Sequence, residues 1–260
     1  MRNIFAIAER DLKAYFTSPI AYVVLTIFIF LSGFFFTQMV GSMVQNASIR
    51  AMQSAQTGQP PEPMDMPGDI MRNFLSIMVS VMLFILPLIT MALFSEEKKR
   101  GTIELLLTAP ITDMQVVLGK FLAAVLFYVL LFATTLVELA ILFMYSKPAI
   151  GPIVTGYLGV LLYGFAFLAI GMFISSLTEN QIIASILTFA VILMLWLVDS
   201  LSRTMGPTMG AIFSYLSVFE HLNDFLTGVI STSHIIFYVS LTLVGLFLTY
   251  RSLDSLRWRG

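Results

Sequence analysis

The chain has 260 residues, 58% of them apolar and 11% charged, with no cysteine and a formal net charge of −1. Soluble domains carry about 25% charged residues, so a water-soluble enzyme of this size is excluded. The lack of cysteine removes disulfides, thiolate metal sites and a Cys nucleophile, and the near-neutral balance removes the electrostatic footprint that nucleic acid needs.

What remains is an all-α polytopic membrane protein, read as a single transmembrane domain over 1–260. The first element is an amphipathic elbow over 3–17. Ile4, Phe5, Ile7, Ala8, Leu12, Tyr15 and Phe16 fall on one helical half and Glu9, Arg10 and Lys13 on the other, the pattern of a helix lying along the inner leaflet. Asp11 interrupts the apolar half. Thr17-Ser18-Pro19 then stops that helix and starts another, with Ser18 as N-cap and Pro19 as first helical residue.

A spanning helix needs roughly 20 mostly apolar residues. Six runs come near or exceed this: 20–43, 74–94, 121–145, 153–177, 182–198 and 235–250, the last two short enough to borrow flanking residues such as Thr232–His234. Of the 29 charged residues only Glu138 falls inside them, as the cost of dehydrating an ion requires. With both termini cytoplasmic, the inner segments hold ten Lys and Arg against four outside (Arg50, Arg72, Lys147 and Arg203), in accord with the positive-inside rule. That places the chain in the cytoplasmic (inner) membrane with no cleavable signal.

The outer segment 44–73 is polar, then proline-rich at Pro60, Pro61, Pro63 and Pro67, which forbids a continuous helix through its middle. It fits a flexible loop or a docking surface equally. The inner segment 95–120 reads SEEKKRGTIELLLTAPITDMQVVLGK. Lys98, Lys99 and Arg100 complement the negative end of the second span, Gly101 permits a sharp turn, and Thr102 suits the N-cap of a short helix with Glu104 in its first turn. Ile103, Leu106 and Leu107 share one side of that helix and Pro110 ends it; Thr112 and Gln115 have capping-box spacing and restart a helix through Gly119 and Lys120. So short a helix must rest on the membrane, its own bundle or a partner. The outer segment 199–233 is turn-rich over 201–210. From Ile212 to Leu226 it carries an apolar stripe that fits one helix dipping back into the membrane.

Glu138 is either a proton-relay group or a protonated or interhelically paired carboxyl at a dimer seam. Glu220, His221 and Asp224 hint at a metal cluster, but His234 is the one other histidine, and an interfacial polar rim accounts for them better. Gly171 and Ser175 form a small-xxx-small pair for close helix packing. The motifs GxxxxGK[ST], HExxH and GxSxG are all absent, so no metal or cofactor site is expected here, and ATP-driven transport would need its ATPase on another chain.

Glu97, Gly101, Thr102, Glu104, Leu106 and Pro110, followed by Gly119-Lys120, resemble the E-x₃-G-T-x-E-x-L-x₃-P…G-K loop of ABC-2 type permeases, the membrane subunits of a class of ATP-binding-cassette exporters. The stretches YFTSPIAYVV (Tyr15–Val24) and SSLTENQIIA (Ser175–Ala184) are similar to the gliding-motility-type subgroup. The resemblance implies a dimer of six-span subunits, as two copies or two paralogues. It also implies a dimeric cytoplasmic ATPase carrying ATP and Mg, and a coupling helix near Thr102–Leu107 that fits a groove on that ATPase. Glu97 and Arg100 would brace its hinge, and an extracytoplasmic auxiliary protein would meet the outer loop. The competing reading is a secondary transporter with a coupling proton on Glu138, though no convincing internal repeat supports it. An intramembrane enzyme would need paired catalytic groups that a lone Glu does not supply.

Overall fold

A computed structural model describes residues 2–58, 66–103, 111–204, 209, 214–215 and 217–257. Among the described residues there are helices and no strand: α1 (Arg2–Thr17), α2 (Pro19–Thr57), α3 (Met66–Thr90), α4 (Ala92–Lys99), α5 (Asp113–Ala133), α6 (Leu136–Tyr145), α7 (Ile150–Leu177), α8 (Gln181–Thr204), α9 (Val218–Leu226) and α10 (Thr232–Arg257). Six stretches are long and apolar enough to cross a bilayer: α2, α3 with α4, α5 with α6, α7, α8 and α10.

The α1–α2 corner follows its local chemistry. Ser18 is extended, its Oγ accepts from the Ile20 N–H, and Pro19 opens α2. The inner face of α1 rests on protein rather than on lipid alone: Ile7 and Ala8 are buried, while Phe5 stays exposed. Gly119 on α5 makes that approach possible, since a Cβ there would lie 2.7 Å from the Ile7 Cβ.

Several element bounds differ from the sequence reading. Helix α2 does not stop at 43 but continues to Thr57, where Gly58 takes φ 69° and its N–H bonds the Ser54 carbonyl. At 1.5 Å per residue its 39 residues make a rod of about 58 Å. The stretch 44–57 is polar but has no proline and good helix formers, so its solubility says nothing against helix. On the other side, α3 begins at Met66, so of 44–73 only 59–65, with Pro60, Pro61 and Pro63, lies outside the described residues.

The second and third spans are each interrupted. Pro87 lies within α3, which breaks at Thr90–Met91 before α4 resumes. The third span breaks at Thr134–Thr135, where both hydroxyls bond carbonyls three residues back (Leu131 and Phe132, each 2.7 Å). The expected single helix over Ile212–Leu226 is also broken: Ser217 is extended and caps α9, its Oγ accepting from the Glu220 N–H at 3.2 Å.

Helix α7 is the hub. It is apolar all round and it packs against α3, α4, α5, α8, α9 and α10, as a helix without a polar face must. Small residues set its approaches. A Cβ at Gly159 would lie 2.5 Å from Phe225 of α9, one at Gly156 2.8 Å from Leu75 of α3, and one at Gly164 inside the ring of Tyr128 on α5. Helices α2, α8 and α10 stay on the outside, exposing Phe30, Met194 and Phe247 among others.

Candidate functional site

The end of the bundle that carries the 95–120 segment is held by a compact ion network. Lys120, with 4% of its side chain exposed, sends Nζ to Asp11 Oδ2 at 3.0 Å and to Glu97 Oε1 at 2.9 Å. Arg10 completes it, with Nε 2.7 Å from Asp11 Oδ1 and Nη2 3.0 Å from Glu97 Oε1. Three helices, α1, α4 and α5, are thereby tied at one point. The placement follows from sequence spacing: Asp11 lies one helical turn beyond Ile7, and Lys120 follows the Gly119 against which Ile7 sits. Asp11, which looked like a flaw in an apolar face, is the partner of a buried lysine. The start of α5 is fixed nearby by the reciprocal Thr112–Gln115 capping box, and Asn3 of α1 donates to Gln115 Oε1 at 3.2 Å. Glu97 Oε2 is buried with no hydrogen-bond partner among the described residues.

The hinge beyond Glu97 is a Schellman turn. Gly101 takes φ 68°, its N–H bonds Lys98 O at 3.1 Å, and the Thr102 N–H bonds Glu97 O at 3.0 Å. The Thr102 hydroxyl also turns back to Glu97 O, at 3.3 Å. Arg100 is not part of the network; it pairs with Glu96 at 2.5 Å and is 70% exposed, an ion pair worth less than about 1 kcal/mol. Lys98 leaves its own helix end and donates instead to Ser176 O at 2.5 Å, meeting the negative end of α7. Ile103 is half-buried against the core. Glu104, Leu106, Leu107 and Pro110 lie outside the described residues.

Gly171 and Ser175 serve the α3–α4 break. A Cβ at Gly171 would overlap Thr90. One turn on, Ser175 Oγ accepts from the Phe94 and Ser95 N–H groups at 3.1 and 3.2 Å and donates to Met91 O at 2.9 Å. One hydroxyl thus answers backbone groups that the kink has freed within apolar surroundings, where each unmet group costs about 1–3 kcal/mol.

Glu138 is buried within one subunit rather than standing on an open face. Its Oε1 accepts from Ser32 Oγ of α2 at 2.8 Å, and its Oε2 has no partner among the described residues. It lies three residues past the break in the third span, where Tyr157 OH is 2.9 Å from Thr135 Oγ1.

His221 and Asp224 belong to a part-buried chain of hydrogen bonds, buried at His221 and half-exposed at Asp224. His221 Nε2 is 3.0 Å from Tyr215 O, His221 Nδ1 is 2.6 Å from His234 Nδ1, and His234 Nε2 is 2.7 Å from Asp224 Oδ2. The Tyr215 carbonyl can only accept, so His221 Nε2 donates to it. Glu220 stays exposed and outside this chain, and among the described residues no group of three or more His, Cys, Asp or Glu is placed to hold a metal. Helix α9 lies between spans. Burial pushes the His221 ring below its usual 6.5; the Tyr215 carbonyl opposes this, His234 adds to it, and Glu220 and Asp224 oppose it. A lowered value favours the neutral ring in the fold, so the stability this site supplies is present above pH 6.5 and is lost as pH falls below it. The melting temperature of the chain in detergent is expected to drop between about pH 7.5 and pH 5.5. His221→Asn should flatten that drop; an unchanged drop in the variant would assign it to other groups.

Sequence reasoning had marked Glu97 but missed its partners, because Asp11 and Lys120 are 109 residues apart. The one available signal was a carboxylate misplaced on an apolar face. His234 as partner of His221 was visible only as the second of two histidines.

A model of the family described as ABC-2 family transporter protein matches residues 5–253. Two curated relatives, the probable multidrug ABC transporter permease YbhR of Escherichia coli (strain K12) and of Escherichia coli O157:H7, are each 30% identical over 94 residues, which is 36% of this chain. The match spans a quarter of the length of those relatives, 25%. The family match runs through all six membrane-crossing stretches and the ion-paired end of the bundle, and on that ground the chain is a multi-pass membrane protein belonging to the ABC-2 family of transporters.

Proposed function

We propose that this chain is the permease subunit of an ATP-binding-cassette exporter, driven by a separate cytoplasmic ATPase that carries ATP and Mg. It works as a dimer with a second copy or a paralogue, in the inner membrane with both termini cytoplasmic. The observation that carries this reading is the Asp11–Lys120–Glu97–Arg10 network around the buried Lys120. It ties α1, α4 and α5 together at the point from which the chain runs on, in sequence, into the segment 102–110, which would dock on the ATPase with Ile103, Leu106 and Leu107 as its apolar side. Force applied to that segment reaches two spans and the N-terminal elbow together. Helix α9 would serve as the re-entrant element on the far side, and the outer end of α2 would meet an auxiliary protein. The relatives' names support a drug-like cargo.

Leu106→Asp or Gly101→Pro is expected to leave the subunit assembled but uncouple hydrolysis from transport; proline is barred at Gly101 because its φ is fixed near −65°. Reconstitution with the partner ATPase checks this: cargo-stimulated ATPase activity should fall at least about tenfold, and unchanged stimulation in both variants would remove the coupling role. Glu138, buried with a single hydroxyl partner, supports a second reading as a proton-coupled carrier. Uptake driven by a pH gradient without nucleotide, abolished by Glu138→Gln, would favour it.

A further inference from the structure

The junction between α3 and α4 is held open by side chains from two other helices. In an unbroken helix the Leu93 N–H would bond Ile89 O, the Phe94 N–H Thr90 O and the Ser95 N–H Met91 O. Here Tyr15 OH of α1 donates to Ile89 O at 2.8 Å. Ser175 Oγ of α7 accepts from both the Phe94 and Ser95 N–H groups and donates to Met91 O. The Ser175 hydroxyl thus stands between Met91 O and the Ser95 N–H, a wedge in the ladder, which is one of the recognised causes of a sharp kink. Pro87 does not account for this: its missing N–H deprives Leu83 O, a turn earlier.

Withdrawing the wedge exchanges hydrogen bonds evenly. The Phe94 N–H would meet Thr90 O, the Ser95 N–H would meet Met91 O, and the Ser175 hydroxyl would turn to Gly171 O, four residues back on its own helix. Three hydrogen bonds replace three, so neither arrangement leaves a backbone group unmet, the condition for two discrete states of similar free energy. Packing favours movement on one side only. Thr90 is buried against Gly171, where a Cβ would overlap its Oγ1, so the end of α3 is locked to α7. Past the junction, α4 borders a cleft of about 980 Å³ through Ala92, Leu93, Glu96, Glu97 and Arg100. We infer that the α3–α4 junction is a two-position hinge, with Ser175 as the wedge that keeps it bent and Tyr15 as a second grip. Withdrawal of Ser175 straightens the helix and swings α4, carrying Glu97, off α7 and into the cleft. That a partner ATPase works this hinge rests on the exporter reading; the hinge itself does not.

The test uses the purified full chain in lipid nanodiscs, with spin labels at Lys99→Cys and Leu177→Cys, both exposed positions in a chain that has no cysteine of its own. Lys99 lies about 12 Å along the helix from Met91, so a swing of about 20° carries it about 4 Å from the end of α7. Ser175→Ala should lengthen the label separation by about that amount, and Tyr15→Phe should shift part of the population the same way. Hydrogen exchange supplies the readout that a merely structural serine would not leave unmoved. In Ser175→Ala the Phe94 and Ser95 amides should stay protected, because backbone carbonyls take them over; a serine that only filled its place would leave both without an acceptor, exchanging at least about tenfold faster. An unchanged label separation in Ser175→Ala, or loss of protection at Phe94 and Ser95, would overturn the hinge. Tyr15→Phe decides it if Ser175→Ala fails to fold: the Leu93 amide should gain protection from the freed Ile89 carbonyl, and no gain there counts against the hinge. None of these readouts needs an ATPase, so failure here and failure of the exporter reading are distinguishable.

Discussion

Lys120→Met should destabilise the chain by about 3–5 kcal/mol, because it leaves two carboxylates facing each other with their buried counter-charge removed. Lys120 holds both Asp11 and Glu97 and is itself almost wholly enclosed, whereas Arg10 is half in water and compensates only in part. The loss falls on contacts between helices, so α1 should come away from α5 before the spans themselves unfold. Thermal melting in detergent, with protease access at Lys13 as a local readout, measures both effects. The informative companion is the triple replacement Asp11→Leu, Glu97→Leu and Lys120→Met, since a whole buried network replaced by apolar side chains is often neutral or stabilising. The triple variant should recover most of the melting temperature. If it does so and also supports transport, the network is a structural bolt and nothing more. If it is stable but uncoupled, the charges themselves matter to the motion.

Gly164→Val should be at least as damaging, by about 3 kcal/mol or more. A side chain at Gly164 occupies the space of the Tyr128 ring, which is fully buried and whose hydroxyl donates to Val160 O at 2.7 Å. Tyr128 would have to leave its site. That forfeits an aromatic core contact of the size lost in Phe→Ala replacements and parts the Tyr128 hydroxyl from its carbonyl acceptor. Adding Tyr128→Ala to Gly164→Val should restore part of the loss by vacating the collision. Gly33→Ala and Gly41→Ala are the contrasting controls: nothing lies within 4 Å of a Cβ there, so helix propensity alone acts, and stability should stay level or rise by up to about 1 kcal/mol. Equal damage at Gly33 and Gly164 would mean that close helix approach is not what these glycines provide.

The parts of this molecule governed by short-range rules can be read directly from its residues. The six apolar runs are visible because an ion is so costly in hydrocarbon, and Ser18-Pro19 and Thr112-x-x-Gln115 announce their helix starts because a cap needs only residues a few positions apart. The C-terminal end of α2 was obscured because a polar helix without an apolar stripe has the composition of a loop. Ser217 breaks α9 from the residues before it although the apolar stripe runs across it unchanged, since periodicity does not register a single extended residue. The network at Lys120 and the histidine chain at His221 depend on which helices become neighbours. That depends in turn on where α7 has no side chains, and no local pattern encodes it.

The length of α2 has a mechanical corollary. The helix is pinned at its base by the Ser18 corner and runs on for about 58 Å, nearly twice the thickness of the hydrocarbon layer. A rod of that kind behaves as a pointer: a swing of about ten degrees at the pivot sweeps its tip through an arc of about 10 Å. Small rearrangements near Ser18 are thereby turned into displacements around Thr57 large enough to be followed by a pair of spin labels.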